Sequence, residues 1–237
     1  LIGRRADRLE EQLFVVEGQQ LLDEAVRAGW SVHSVYLSSD AKALDAFPHA
    51  SRLDVHVMER VASTETPQPV IAIVGRRTAS LSHAEGWIVV ADRIADPGNL
   101  GTIMRSAEAA GASQVVLTPG TVDAFNPKVV RASAGSLFHV GVVEGVELDD
   151  VRRHGYRLIG TTSHAEGGAV DYRSADLSGN VAVLLGNEAH GVDVDSPVDD
   201  WVTIIHQGRS ESLNVAMAGT LLCFEVSSRH QPTNPAD

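Results

Sequence analysis

A single cysteine, Cys223, is all the thiol chemistry that 237 residues contain. It excludes an intramolecular disulfide and any multi-cysteine metal site, and it fits a reducing compartment. Lysine is nearly absent as well. Of 19 basic residues only Lys42 and Lys128 are lysine, and 31 acidic residues bring the formal net charge to -12. A protein held on nucleic acid by a broad cationic surface is expected to be basic, so that class is disfavoured. No apolar run approaches the 18 or so residues needed to cross a bilayer. Leu1 to Glu11 carry arginines and acids without an apolar centre, unlike a secretory signal. Internal repeats and low-complexity tracts are also missing. With 43% hydrophobic and 21% charged residues, the chain is expected to be cytoplasmic, with one large core or two modest ones.

The pattern changes character near residue 76. Before it, Phe14–Val16, Ser34–Leu37, Val55–Met58 and Val70–Val74 read as short strands. Gln19 to Ala28 places Leu21, Leu22, Ala25 and Val26 on one helical face, with Gly29 as its stop. Residues 1–75 therefore form a compact α/β module, and the polar stretch 76–86 reads as a linker. From 87 to 237, apolar strands alternate with helices: Trp87–Ala91, Gln114–Leu117, Val140–Val143, Arg157–Thr161, Val181–Leu185 and Val202–Ile205. A long apolar helix, Leu213–Ser228, follows. This pattern predicts a mainly parallel sheet covered on both faces, with ligands beyond the carboxyl ends of the strands.

Three clusters fall directly after strands. In Asp96-Pro-Gly-Asn-Leu-Gly-Thr-Ile-Met-Arg105, Asn99 is a good helix cap and Arg105 lies just under two turns on, able to grip a phosphate. An ordinary strand–turn–helix connection with a surface arginine accounts for it equally well. In Leu185-Gly-Asn-Glu-Ala-His-Gly191, the glycines let the backbone approach a flat ligand, and Glu188 beside His190 could exchange protons. A solvated turn is the plainer alternative. The cluster is neither a phosphate loop nor a dinucleotide fingerprint, lacking the Lys-Ser/Thr pair of the one and the glycine spacing of the other. In Glu211-Ser-Leu-Asn-Val-Ala216, Ser212 (or the preceding Ser210) could simply cap the last helix.

Taken together and in this order, the clusters resemble the three motifs of the SpoU/TrmH family of SPOUT RNA 2'-O-ribose methyltransferases, with Lys128–Phe138 similar to a further family segment. The resemblance spans about residues 87 to 228. Phe14-Val-Val-Glu-Gly18 and Ser63-Thr-Glu-Thr-Pro-Gln68 are similar, less specifically, to an L30e-like substrate-binding domain. The family's usual basic start is shorter here, which implies a natural chain beginning further upstream.

The resemblance implies a C-terminal trefoil knot, a homodimer through the methyltransferase domain that completes the active site, and S-adenosyl-L-methionine as cofactor, with no metal and no membrane. It implies Gly186, Ile204, Leu213 and Thr161 around the adenosyl group, and Asn99, Arg105, Glu188, Ser212 and Asn214 as the catalytic shell. A guanidinium stays protonated in proteins, so Arg105 is expected to bind phosphate and stabilise a developing alkoxide rather than act as base. Arg4, Arg5, Arg8, Arg93, Lys128 and Arg131 are candidate RNA contacts, with a solvated helix face as the alternative for the first three. Few such contacts predict a shallow salt dependence of RNA binding. The resemblance of the opening module to that of rRNA-modifying relatives favours ribosomal over transfer RNA. A tRNA methyltransferase, or a non-catalytic RNA-binding factor on the same fold, is the alternative.

Overall fold

The computed structural model describes residues 1–62, 66–83, 85–163, 168–209 and 212–230. The first unit comprises α1 (Arg5–Glu11), β1 (Leu13–Glu17), α2 (Gln19–Arg27), β2 (Val32–Ser38), β3 (Ser51–Leu53), α3 (Val55–Val61) and β4 (Val70–Gly75). Its sheet runs β1-β4-β2-β3, with β4 antiparallel to both neighbours. The apolar runs read as β1, β2 and β4 are strands, and their Phe14, Val16, Leu37 and Val74 are buried. Val55–Met58 is not a strand. Asp54 caps it by accepting from the His56 amide at 2.9 Å, which commits the segment to a helix. Only Met58 of α3 is buried, so the alternation of Val55 and Val57 marks no sheet face.

The second unit comprises β5 (Trp87–Ala91), α4 (Pro97–Ala109), β6 (Gln114–Leu117), α5 (Pro127–Ala132), a 3-10 turn (Ser136–Phe138), β7 (Gly141–Glu144), α6 (Leu148–Arg153), β8 (Arg157–Thr162), β9 (Val170–Asp171), β10 (Val181–Leu185), β11 (Asp200–Thr203) and α7 (Val215–His230). Seven strands lie in the order β7-β6-β5-β10-β8-β11-β9, each neighbouring pair parallel. Every residue of the central β5 and β10 is buried, as continuous apolar strands in a doubly covered sheet require. α7 returns to pack on α4, where Ser106 and Thr220 hydroxyls meet at 2.7 Å. Cys223 lies in that packing, and burial pushes its thiol up to about 12, so it is an inert small hydrophobe.

The stretch read as a linker is docked. The Arg76 amide donates to Gln12 O, the Ala79 amide to Val142 O, and the Ser82 amide to the Gln114 side chain. Ala79 thereby satisfies one backbone carbonyl on the open edge of β7. The two units also share one hydrophobic cluster. Phe14 lies 5.0 Å from Phe125, and Trp30 stands edge-on to Phe138 at 5.3 Å while donating its Nε1–H to the Phe138 carbonyl.

Arg8 belongs to this joint and not to an RNA surface. Its side chain is 3% exposed, and its guanidinium reaches Asp123 Oδ2 at 2.6 and 2.7 Å. The terminal arginines do not share one solvated face, because α1 turns Arg8 inward while Arg4 and Arg5 stay outside. Arg76 pairs with Glu144 nearby and lies over the Phe125 ring at 4.7 Å.

Candidate active site

The site begins where β5 ends. Asp92 is buried and accepts from the Thr118 hydroxyl at 2.8 Å and from the Arg93 guanidinium at 2.9 and 3.1 Å. Arg93 adopts the left-handed region, φ 53°, which few non-glycine residues do without support. Its amide donates to Thr118 Oγ1, and its carbonyl accepts from Asn187 Nδ2 at 2.8 Å. The Arg93 guanidinium is thus engaged with an acid of its own chain.

Asp96, not Asn99, caps α4. Its Oδ1 accepts from the Asn99 amide at 2.8 Å, and Pro97 opens the helix. That placement frees the Asn99 side chain for a different task. Its Nδ2 donates to Glu188 Oε1 at 3.1 Å, and its Oδ1 accepts from Asn214 Nδ2 at 2.9 Å. Glu188 also accepts from the Ala95 and Asp96 amides at 3.1 and 3.0 Å. Burial pushes its carboxyl up, but the hydrogen bonds from Asn99, Asp96 and Ala95 outweigh that and hold it below the usual glutamate range. Asn214 in turn caps α7, its Oδ1 accepting from the Ala216 and Met217 amides. The cap expected of Ser210 or Ser212 is therefore Asn214, and Ser210 and Glu211 lie outside the described residues, as do Ser63, Thr64 and Glu65. One chain of bonds, Glu188–Asn99–Asn214, ties the three strand-end loops together.

Gly186 closes the turn after β10. A Cβ there would lie 2.2 Å from the Gly191 carbonyl carbon and 2.3 Å from the Val192 nitrogen, so no side chain fits. The turn folds back through the Gly191 amide, which donates to Asn187 O at 2.8 Å.

Between the loops lies a cavity of about 580 Å³, within the range of small-ligand sites. Asn99, Glu188, Ser212 and Asn214 line it, together with Thr161, Gly186, Ile204 and Leu213. Every expected catalytic and cofactor residue is there except Arg105. Six residues along a helix turn the side chain roughly 120° away from Asn99, and Arg105 stands exposed on the outer face of α4. Thr161 spends its hydroxyl on the Leu184 carbonyl at 2.9 Å, binding β8 to β10.

Val192, Val202, Ile204, Leu213 and Leu222 supply apolar wall, and the ionisable lining groups among the described residues are Glu188, His190 and His206. With no lysine or arginine in that lining, the cavity suits a nucleoside-like ligand of neutral or positive charge, not a polyphosphate. Of the expected RNA contacts, Arg4, Lys128 and Arg131 are exposed and Arg5 lies 3.9 Å from Glu144. Sequence reasoning missed Asn187, Asp96 and His206. Asn187 stands inside the second cluster, but its partner, the Arg93 carbonyl, is 94 residues away and leaves no local signal.

Parallel sheet, strand-end loops and nucleoside-sized cavity define an α/β protein that handles a nucleoside-bearing ligand at its carboxyl edge. The model of the SpoU rRNA Methylase family matches residues 86–224, and that of the MRM3-like substrate binding domain matches residues 1–72. The chain belongs to the SpoU rRNA methylase family. It is 32% identical to 23S rRNA (guanosine(2553)-2'-O)-methyltransferase RlmP of Bacillus subtilis, over 94% of this chain and 91% of that protein. It is 30% identical to 23S rRNA (uridine(2479)-2'-O)-methyltransferase of Streptomyces viridochromogenes, over 95% and 86%. Among solved structures, the AdoMet bound rRNA methyltransferase from Sinorhizobium meliloti is similar with a TM-score of 0.82 and 29% identity, covering 97% of this chain and 92% of that one.

Proposed function

We propose that this protein methylates a ribose 2'-hydroxyl of ribosomal RNA, using S-adenosylmethionine as donor. The observation that carries this reading is the cavity itself, enclosed by three loops joined through Glu188–Asn99–Asn214. Its residues fit the cofactor: apolar Ile204 and Leu213 for the adenine, close backbone at Gly186, and, among the described residues, a carboxylate but no lysine or arginine beside a sulfonium. When bound, the cofactor supplies a methyl group on a sulfonium whose leaving thioether is neutral, which needs no Lewis acid. Glu188 holds the first loop by its amides and Asn99 by its amide nitrogen. Asn214 anchors α7 against the same loop, and with Ser212 it orients the ribose. Such alignment is a large part of what a displacement requires.

Arg105 enters this scheme through a second copy of the chain. Met217, Leu221 and Phe224, spaced i, i+4 and i+7 on α7, are 64%, 42% and 53% exposed. A homodimer formed on that stripe covers it and carries Arg105 of neighbouring α4 towards the other protomer's cavity. There the permanently charged guanidinium binds the adjacent phosphate and stabilises developing negative charge on the 2'-oxygen. The order β10-β8-β11, followed by the return of α7 onto α4, supports the knotted threading implied by the family resemblance. Residues 1–75 serve as the RNA-binding unit, and the ribosomal preference rests on that unit and on relatives named for 23S rRNA.

Transfer of tritiated methyl to bulk RNA, with mapping of 2'-O-methylation in cells with and without the protein, tests the reading. Arg105→Ala is expected to abolish transfer while leaving cofactor affinity nearly intact. A near wild-type rate would remove Arg105 from the mechanism. Failure of the wild-type protein to label ribosomal RNA would remove the function.

A further inference from the structure

A 2'-hydroxyl must lose its proton as it is methylated, and the groups so far placed in the site are poor acceptors. Arg105 is permanently protonated. Glu188 accepts three hydrogen bonds, from the Ala95 and Asp96 amides and from Asn99, which hold its carboxyl below the usual range and make it a weak base. His190 also lines the cavity, and its ring is oriented. Asn187 supplies the orientation. The end of its amide that faces the Arg93 carbonyl at 2.8 Å must be the nitrogen, because a carbonyl only accepts. The opposite end accepts from the Ala189 amide at 3.0 Å and the His190 amide at 3.3 Å, so it is the oxygen. That oxygen lies 3.2 Å from His190 Nδ1. An oxygen that can only accept requires Nδ1 to carry the hydrogen, which leaves Nε2 of the neutral ring with a free lone pair. The Asn187↔Gly191 bridge and the left-handed Gly191 (φ 68°) hold the turn that presents the ring.

The geometry points to His190 Nε2 as the general base for the ribose hydroxyl, an inference that rests on the methyltransferase reading. It has the logic of a base whose other nitrogen is held by a third group. As the new oxygen–methyl bond forms and the carbon–sulfur bond of the sulfonium breaks, the hydroxyl proton passes to Nε2. The products are a ribose methyl ether, a neutral thioether and an imidazolium, so the positive charge of the donor ends on His190. The ionisable groups that share the cavity lining with the ring are Glu188, on the same turn, and His206, while Arg93 meets the turn only through its carbonyl, which accepts from Asn187. Among the described residues no hydrogen bond orients the His206 ring.

Three measurements on the full chain test this. Long-range proton–nitrogen spectra of histidine-labelled protein should show neutral His190 protonated at Nδ1. The Nε2-protonated form would overturn the assignment whatever the activity. His190→Gln should lower kcat about 100-fold or more, the scale of general base catalysis. Its calorimetric Kd for S-adenosylmethionine should stay within about twofold of wild type, and the acid limb of the wild-type rate profile should vanish. A His190→Gln enzyme with wild-type rate and pH profile would overturn it, as would loss of the acid limb in His206→Gln alone. If the wild-type protein transfers no methyl to RNA, the methyltransferase reading fails instead, and the spectra still decide the orientation of the ring.

Discussion

Replacing Arg8 by alanine separates a structural cation from an RNA contact. The substitution leaves Asp123, 6% exposed in its side chain, without the guanidinium that reaches it at 2.6 and 2.7 Å. Breaking a buried pair by removing one partner costs about 3–5 kcal/mol. The Leu1 carbonyl also loses the donor it shares with this side chain. Native stability is about 5–15 kcal/mol, so the loss is a large part of it. For a chain of this size about 1 kcal/mol lowers Tm by roughly 2–4 °C, and the shift should therefore lie between about 6 and 20 °C. Scanning calorimetry and urea unfolding at neutral pH measure it. Because Phe14, Trp30, Phe125 and Phe138 form one cluster across the joint, the transition should stay single. Arg8→Met combined with Asp123→Leu should recover most of the loss, since an apolar pair of similar volume replaces a buried ion pair at little cost. An Arg8→Ala protein with unchanged Tm and weakened RNA binding would refute the argument, as would two transitions of which only one moves.

Glu188→Gln should lose about 1 kcal/mol or less at neutral pH, a hydrogen-bond value reduced for a partly exposed group. The carboxyl sits below its ordinary value in the folded protein. Its contribution is therefore full above the unfolded value of about 4.3 and disappears as pH falls through the lower folded one. Urea midpoints taken down into that acid range should converge for the two proteins, and a constant gap would contradict the sign. Gly186→Ala places a Cβ 2.2 Å from the Gly191 carbonyl carbon, so the turn must move. Calorimetry should show at least tenfold weaker binding of S-adenosylmethionine, and unchanged affinity would mean the turn does not shape the pocket. Leu221→Glu, on the exposed face of α7, should leave the fold intact and shift sedimentation from dimer to monomer with loss of methyl transfer. An active monomer would exclude the partner's Arg105 from the reaction.

Strands were legible where neighbouring residues carried the signal. Val181–Leu185 and Trp87–Ala91 are uniformly apolar because both faces of a parallel sheet are covered, and both are strands as read. Val55–Met58 misled because Val55 and Val57 alternate whether or not a sheet face exists, and the Asp54 cap decided for helix. The three clusters could be found because glycines and caps at strand ends have local requirements, as at Gly186 and Asp96. Asn99 lines the cavity but was given a cap's role, since which of two nearby candidates caps depends on where the other side chain is needed.

Local chemistry therefore pointed to the kind of sheet and to the strand ends that edge the pocket, for these follow from residues within a turn of one another, whereas Thr161, Ile204 and Leu213 entered through the family resemblance. Long-range placement settled the rest. Arg8 turned inward to Asp123, 115 residues on, and Ala79 bound the edge strand β7. Asn99 joined Glu188 to Asn214, and Arg105 was left outside the cavity. Periodicity reports which face of an element is apolar. It carries no record of which distant carboxylate, carbonyl or second copy will meet that face, because such partners are chosen by the packing of the whole chain.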